Sequence, residues 1–142
     1  MPVKRISEKL RQRVMERARG YCEYCRCPDS VSSSPFAVDH LIPKSRGGKT
    51  VLKNLAYACQ GCNGKKRDKL QAIDPFTGEV VDLFHPLKQK WSDHFAWNED
   101  FTLMIGLTPT GRATLVALDL NRAGVVNLRK LLLNSNQHPV EE

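Results

Sequence analysis

At 142 residues the chain is long enough for one domain with an appendage, on a guide of about 150 residues per domain. That length can bury a core without disulfide staples. Hydrophobic residues make up 41% and charged residues 26%, values that fit a globular protein and exclude a disordered one. Apolar runs such as Leu115–Leu118 and Leu131–Leu133 fall far short of the roughly 20 residues that span a bilayer, so no membrane partner is expected.

The net charge of +7 is unevenly placed: residues 1–70 hold 16 Lys and Arg against 6 Asp and Glu, or +10, and residues 71–142 hold 6 against 9, or −3. Clustered cations displace counterions from a phosphate backbone, so the basic half points either to a polyanion partner or to a solvated face. Behind Met1, Lys4 and Arg5 the sequence carries Arg11, Arg13, Arg17 and Arg19 where a secretory signal would be apolar. A cytoplasmic location follows as an expectation, and in a reducing compartment five cysteines favour metal ligation over disulfides.

Along the chain, Ile6, Leu10, Val14 and Ala18 recur every four residues. They predict a helix over 7–18 with Ser7 as its cap and Gly20 at its end. Its arginines either face phosphate or are solvated. Phe36–His40 reads as a short strand, 43–49 as a basic loop, and Leu52–Ala58 as a returning strand whose paired part begins after Asn54. Cys59–Cys62 reads as a knuckle, with a helix from Asn63 to Leu70. Thr77-Gly78 marks a turn before a strand at Val80–Leu83, and Phe101–Ile105 is another strand. Thr108-Pro109 starts a helix to Leu120, Asn121 caps one through Leu133, and a frayed tail follows from Ser135. Trp91, Phe95 and Trp97 read as packing over a satellite core, with His85 and His94 structural and Arg112 facing solvent. The expected organisation is a first domain over 1–72, a small α+β extension over 73–136 and a flexible tail over 137–142.

Two Cys-x-x-Cys pairs, Cys22/Cys25 and Cys59/Cys62, have the spacing of a tetrahedral zinc site, in which each turn presents two sulfurs. Four thiolates close the coordination shell, so this zinc is expected to be structural. A redox pair is the alternative, although no βαβ pattern surrounds either motif. Cys27, one residue from Cys25, is the spare. Between the pairs lies Asp39-His40, and Asn63 follows the last cysteine. If the strand crosses the helix, Asp39 and Asn63 offer two oxygens to one hard cation. Magnesium often takes only one or two protein ligands. His40 then has the right pKa range to act on a water.

Taken together, Cys22-x-x-Cys25, Asp39-His40-x-Ile42-Pro43-x-Ser45-x-Gly47-Gly48, Asn54-Leu55 and Cys59-x-x-Cys62-Asn63-x-x-Lys66 resemble the HNH endonucleases with a four-cysteine zinc set, in the Asn-terminated variant, over about residues 14–70. The resemblance implies an α+β fold with a ββα-metal (His-Me finger) core, an N-terminal helix and the C-terminal extension. It implies metal-dependent hydrolysis of DNA phosphodiester bonds, with His40 as general base, Asn54 bracing the loop and orienting the His ring, and Asp39 and Asn63 as ligands of Mg²⁺ or Mn²⁺. Lys44, Arg46, Lys65, Lys66 and Arg67 are the expected backbone contacts. The alternatives are a zinc-stabilised nucleic-acid-binding module without catalysis, or a nuclease of RNA. A monomer and a homodimer are both compatible with the sequence. The stretch from Gly106 to Thr114 resembles an extension of bacterial, often cyanobacterial, members of that family.

Overall fold

In the computed structural model, which describes residues 6–141, the first helix forms where the fourfold apolar recurrence places it. Helix α1 (Glu8–Ala18) starts with the Leu10 amide donating to Ser7 Oγ and buries Val14 completely. It closes at Arg19 rather than Gly20. Arg19 takes the left-handed conformation (φ 57°) and its N–H donates to the Glu16 carbonyl. Residues 1–5, including Lys4 and Arg5, and residue 142 lie outside the described residues.

Not all of the arginines of α1 are available to a partner. Arg17 turns inward, donating to the carbonyls of Leu52 (2.9 Å) and Leu55 (2.5 Å) and pairing with Glu23 at 2.8 Å. Arg11 donates to the Phe36 carbonyl at 3.0 Å. These two fasten the helix to the strands, which explains part of the basic composition without any ligand.

Strand β1 (Ala37–His40) pairs antiparallel with β2 (Leu55–Ala58), setting Asp39 opposite Ala56 and His40 opposite Leu55. Asn54 precedes the paired segment, in a short 3-10 turn over Leu52–Asn54. Helix α2 (Gln60–Lys66) begins earlier than the expected Asn63 and is shorter, because Cys59 itself is the cap: its sulfur accepts the Cys62 amide at 3.4 Å. At the other end Arg67 adopts φ 52° and stops the helix before Leu70.

The residues after that stop form a strand that sequence periodicity does not predict. Strand β3 (Gln71–Ile73) pairs with β4 (Val80–Asp82), so this hairpin straddles positions 72 and 73. Its turn is held by Asp74, whose carboxylate accepts the Phe76 amide and the Thr77 hydroxyl. It also accepts two bonds, each 2.9 Å, from Arg112, so Arg112 is not a solvent-facing residue.

Helix α3 (Trp91–His94) leads into β5 (Phe95–Trp97), paired with β6 (Met104–Gly106). Helices α4 (Pro109–Ala117), capped by Thr108, and α5 (Ala123–Leu133) complete the chain. Asn121 does not cap α5. Its amide group instead bonds both the N–H and the carbonyl of Met104 at 2.8 Å, serving β6 backbone that lacks a second strand neighbour. The aromatic residues are not a satellite: Phe84, Trp91 and Phe95 belong to the same buried cluster as Val14, Phe36, Leu55 and the cysteines. The expected tail is packed as far as His138, which is buried edge-on against Trp97 with Nε2 at 2.6 Å from the Phe101 carbonyl.

Candidate metal centre and catalytic site

The four paired cysteines converge. Glu23 brings the first turn to β2 through its N–H, which donates to the Tyr57 carbonyl, and its carboxylate, which accepts the Tyr57 amide at 3.0 Å. Cys22 and Cys25 thereby meet Cys59 and Cys62, which are fixed at the start of α2. One sulfur from each lies within 4.8 Å of the other three, with Cys25 and Cys59 Sγ 3.7 Å apart. A zinc–sulfur bond of about 2.3 Å implies a tetrahedral S···S edge of about 3.8 Å, so the spacing fits the ion. Burial first, and the Cys25 and Cys59 sulfurs second, push the Cys22 thiol well above its ordinary pKa. Cys59, the one partly exposed sulfur, is pushed the other way by the thiols of Cys22, Cys25 and Cys62, and for all four to ionise together a cation is needed among them. Cys27 is buried but stands outside this group.

A second group of the candidate residues lies on β1 and the inner side of α2. Lys66 is 3% exposed and its Nζ lies 2.9 Å from Asp39 Oδ2. The two atoms are at ion-pair distance but are not aligned as a hydrogen bond, and neither has any other hydrogen-bond partner. Asn63, one helical turn before Lys66, shares that side of the helix. Burial pushes the Asp39 carboxyl above its usual range, with Lys66 opposing. A buried carboxylate oxygen without a hydrogen-bond partner has the chemistry to take a hard divalent cation. Among the residues expected to contact nucleic acid, Lys66 alone is buried. Its ammonium faces Asp39 and not the surface.

His40 follows Asp39 and is partly exposed. Its Nε2 lies 2.8 Å from Thr50 Oγ1. If Nε2 carries the proton toward that hydroxyl, Nδ1 is left as the lone-pair nitrogen. Burial, then the Lys44 ammonium, push the imidazole below its ordinary pKa against the pull of Asp39. A ring kept neutral near pH 7 is competent to accept a proton.

Asn54 braces the loop between the strands, as expected. Its Oδ1 accepts the Ile42 amide at 2.9 Å and its Nδ2 donates to the carbonyls of Ile42 and Lys49. The direct partner of the His40 ring is Thr50, a residue sequence reasoning did not select; its only signal was a hydroxyl after Gly47-Gly48-Lys49. The loop also depends on Gly48, where a Cβ would fall 1.7 Å from the Ile42 carbonyl oxygen. Lys44 and Arg46 are exposed on this loop. Lys65 is exposed with Nζ 4.0 Å from Asp119, and Arg67 is exposed with Nε donating to the Gly64 carbonyl.

Among the described residues, no helix is long and apolar enough to cross a membrane. No curated protein and no solved structure matches the chain. A family model does: it runs from Cys22 to Lys69, taking in both cysteine pairs and, between them, Asp39, His40, Asn54 and Asn63. With the strand pair, the short helix and the sulfur cluster arranged as described, residues 22–69 are an HNH domain, matching the model of the HNH endonuclease family.

Proposed function

We propose that the protein is a DNA endonuclease that hydrolyses phosphodiester bonds with His40 as general base and one divalent cation, Mg²⁺ or Mn²⁺, held by Asp39 and Asn63. The observation that carries this reading is Asp39 Oδ2: a buried carboxylate oxygen with no hydrogen-bond partner, one residue from a histidine already tethered at one nitrogen. A structural carboxylate at that depth would have its lone pairs filled.

Within this reading the chain's residues divide the work. A bound divalent cation would stabilise negative charge developing on the scissile phosphate and the leaving oxygen. His40 accepts the proton of the attacking water at Nδ1 while Thr50 fixes the ring through Nε2. Asn54 keeps the loop backbone closed so that Thr50 stays at the ring nitrogen Nε2. Asp39 must exchange its contact with Lys66 for the cation, which leaves Lys66 free to face added negative charge. Lys44, Arg46, Lys65 and Arg67 supply exposed positive charge for the backbone of the nucleic acid, fixing its position without reading sequence. At the cysteine site, zinc held by Cys22, Cys25, Cys59 and Cys62 is structural, since four thiolates leave no open position.

The test is cleavage by the zinc-loaded full chain of supercoiled plasmid, single-stranded DNA and RNA, each with Mg²⁺ or with EDTA. Cation-dependent cutting of DNA is expected. Cutting of RNA alone would replace DNA as the substrate, and binding without cutting of any substrate would favour the non-catalytic module.

A further inference from the structure

The segment after the HNH domain has no part in the chemistry above, yet two of its arginines reach the cysteine cluster. Arg122, at the start of α5, places Nη2 3.4 Å from Cys59 Sγ and 3.6 Å from Cys62 Sγ, with Nη1 also 3.6 Å from Cys62 Sγ. The same guanidinium donates to the carbonyls of Leu118 (3.3 Å) and Asp119 (3.2 Å) at the end of α4, so its position is fixed from behind. Gly61, between the two cysteines, makes room for it: a Cβ there would lie 2.5 Å from Arg122 Nη2. Arg129, fully buried, donates to the Cys25 carbonyl at 3.4 Å and to those of Leu120 and Thr102 at 2.7 and 3.0 Å.

We infer that the C-terminal segment is the outer shell of the cysteine site, with Arg122 neutralising its thiolates and thereby retaining the zinc. Four thiolates around one Zn²⁺ leave two negative charges, and charge buried without compensation is expensive. Arg122 supplies one positive charge and donates N–H groups to two of the four sulfurs. Hydrogen bonds to a thiolate withdraw electron density, which lowers its reactivity toward protons and electrophiles and so slows loss of the metal. Losing an outer-shell partner of this kind typically costs about 10–100-fold in metal affinity. The location matters for kinetics as well. A cleft of 210 Å³ between the first cysteine turn and α5 is lined by Cys25, Cys59 and Arg122, so the guanidinium stands where a competing chelator would approach.

The inference rests on the zinc reading, and the experiment separates the two. Zinc content of the purified full chain is measured first, then the rate of zinc transfer to a colorimetric chelator, well below the melting temperature. Wild type, Arg122→Met, Arg122→Lys and Asp74→Asn are compared; the last breaks the remote contact to Arg112 and controls for lost stability. The expected result is one zinc per wild-type chain, transfer about 10–100-fold faster for Arg122→Met, intermediate for Arg122→Lys, and unchanged for Asp74→Asn. Wild type without zinc would overturn the zinc reading and the inference together. Zinc-loaded wild type with Arg122→Met transferring at the same rate, or Asp74→Asn accelerating it equally, would overturn the inference alone. In that case Arg122 only caps α4.

Discussion

Two aspartates in this molecule face a cation at the same 2.9 Å, and they differ in how the rest of the carboxylate is bonded. Asp74 accepts two aligned bonds from Arg112, one from the Phe76 amide and one from the Thr77 hydroxyl. The Arg112 bonds lead in holding its carboxyl well below the ordinary value. Asp39 has one misaligned contact to Lys66, no hydrogen bond on Oδ2, and a carboxyl pushed upward by burial. A carboxylate whose lone pairs are filled belongs to the fold. One kept buried, underbonded and next to a single movable cation is held ready for a ligand. On the proposed function, the difference separates the structural ion pair at Asp74 from the one at Asp39 that a divalent cation would replace.

Substitutions at the two positions should therefore fail in different ways. The largest expected effect is on chemistry: Asp39→Asn should lower cleavage about a hundredfold or more while the melting temperature changes little. Gel assays beside thermal melts would check this, and a large loss of stability with cleavage retained would reverse the assignment. Asp74→Asn should do the reverse, lowering the melting temperature and sparing cleavage at permissive temperature.

The sign of the pH effect follows from the depressed pKa of Asp74. Its contribution to stability is complete above the ordinary carboxylate value of 3.8 and is lost as pH falls through its lower folded value. Wild type should lose stability over that acid range. Asp74→Asn should show a flatter acid limb in melts recorded from pH 5 downward.

Smaller effects are expected from the cation's side. If Lys66 is the counter-ion that a divalent metal displaces, Lys66→Met should bind Mn²⁺ about tenfold more tightly, and its melting temperature should rise more on adding Mn²⁺ than that of wild type. Calorimetric or paramagnetic titration would measure it. The smallest effect is expected at Thr50→Val, which removes the hydroxyl that tethers His40 and keeps the shape. Loss of one such bond should slow cleavage by roughly threefold to tenfold, with Mn²⁺ affinity unchanged.

The elements legible in the sequence were those with a local cause. Ser7 and Thr108 cap their helices as their hydroxyls allow, the strand pair around Asp39-His40 forms, and the four cysteines converge as their spacing requires. What the sequence did not disclose depends on distant partners. Nothing near Gln71-Ala72-Ile73 announces a strand, because β3 exists through its pairing with β4 and its turn is tied by Arg112, far along the chain. Asn121 resembles a helix cap in local sequence, but the open-edge backbone of Met104 claims its side chain. Lys66 reads as one of a run of surface cations, Lys65-Lys66-Arg67. Helical phase alone decides that the middle one turns inward to Asp39. Arg122 carries no local signal of its role, which exists only because the fold sets the sulfurs beside it. At the candidate site the motif singles out Asp39, His40, Asn54 and Asn63, whereas the tether on the His40 ring required the fold.

The role of His40 as general base is decided by comparing wild type with His40→Ala on supercoiled plasmid, both zinc-loaded and in Mg²⁺, with EDTA controls. Wild type should convert the plasmid to nicked or linear DNA, with conversion abolished by EDTA and reduced about 10²–10⁴-fold in the variant, whose zinc content and melting temperature match wild type. Equal cutting by a folded, zinc-loaded His40→Ala protein would contradict that role.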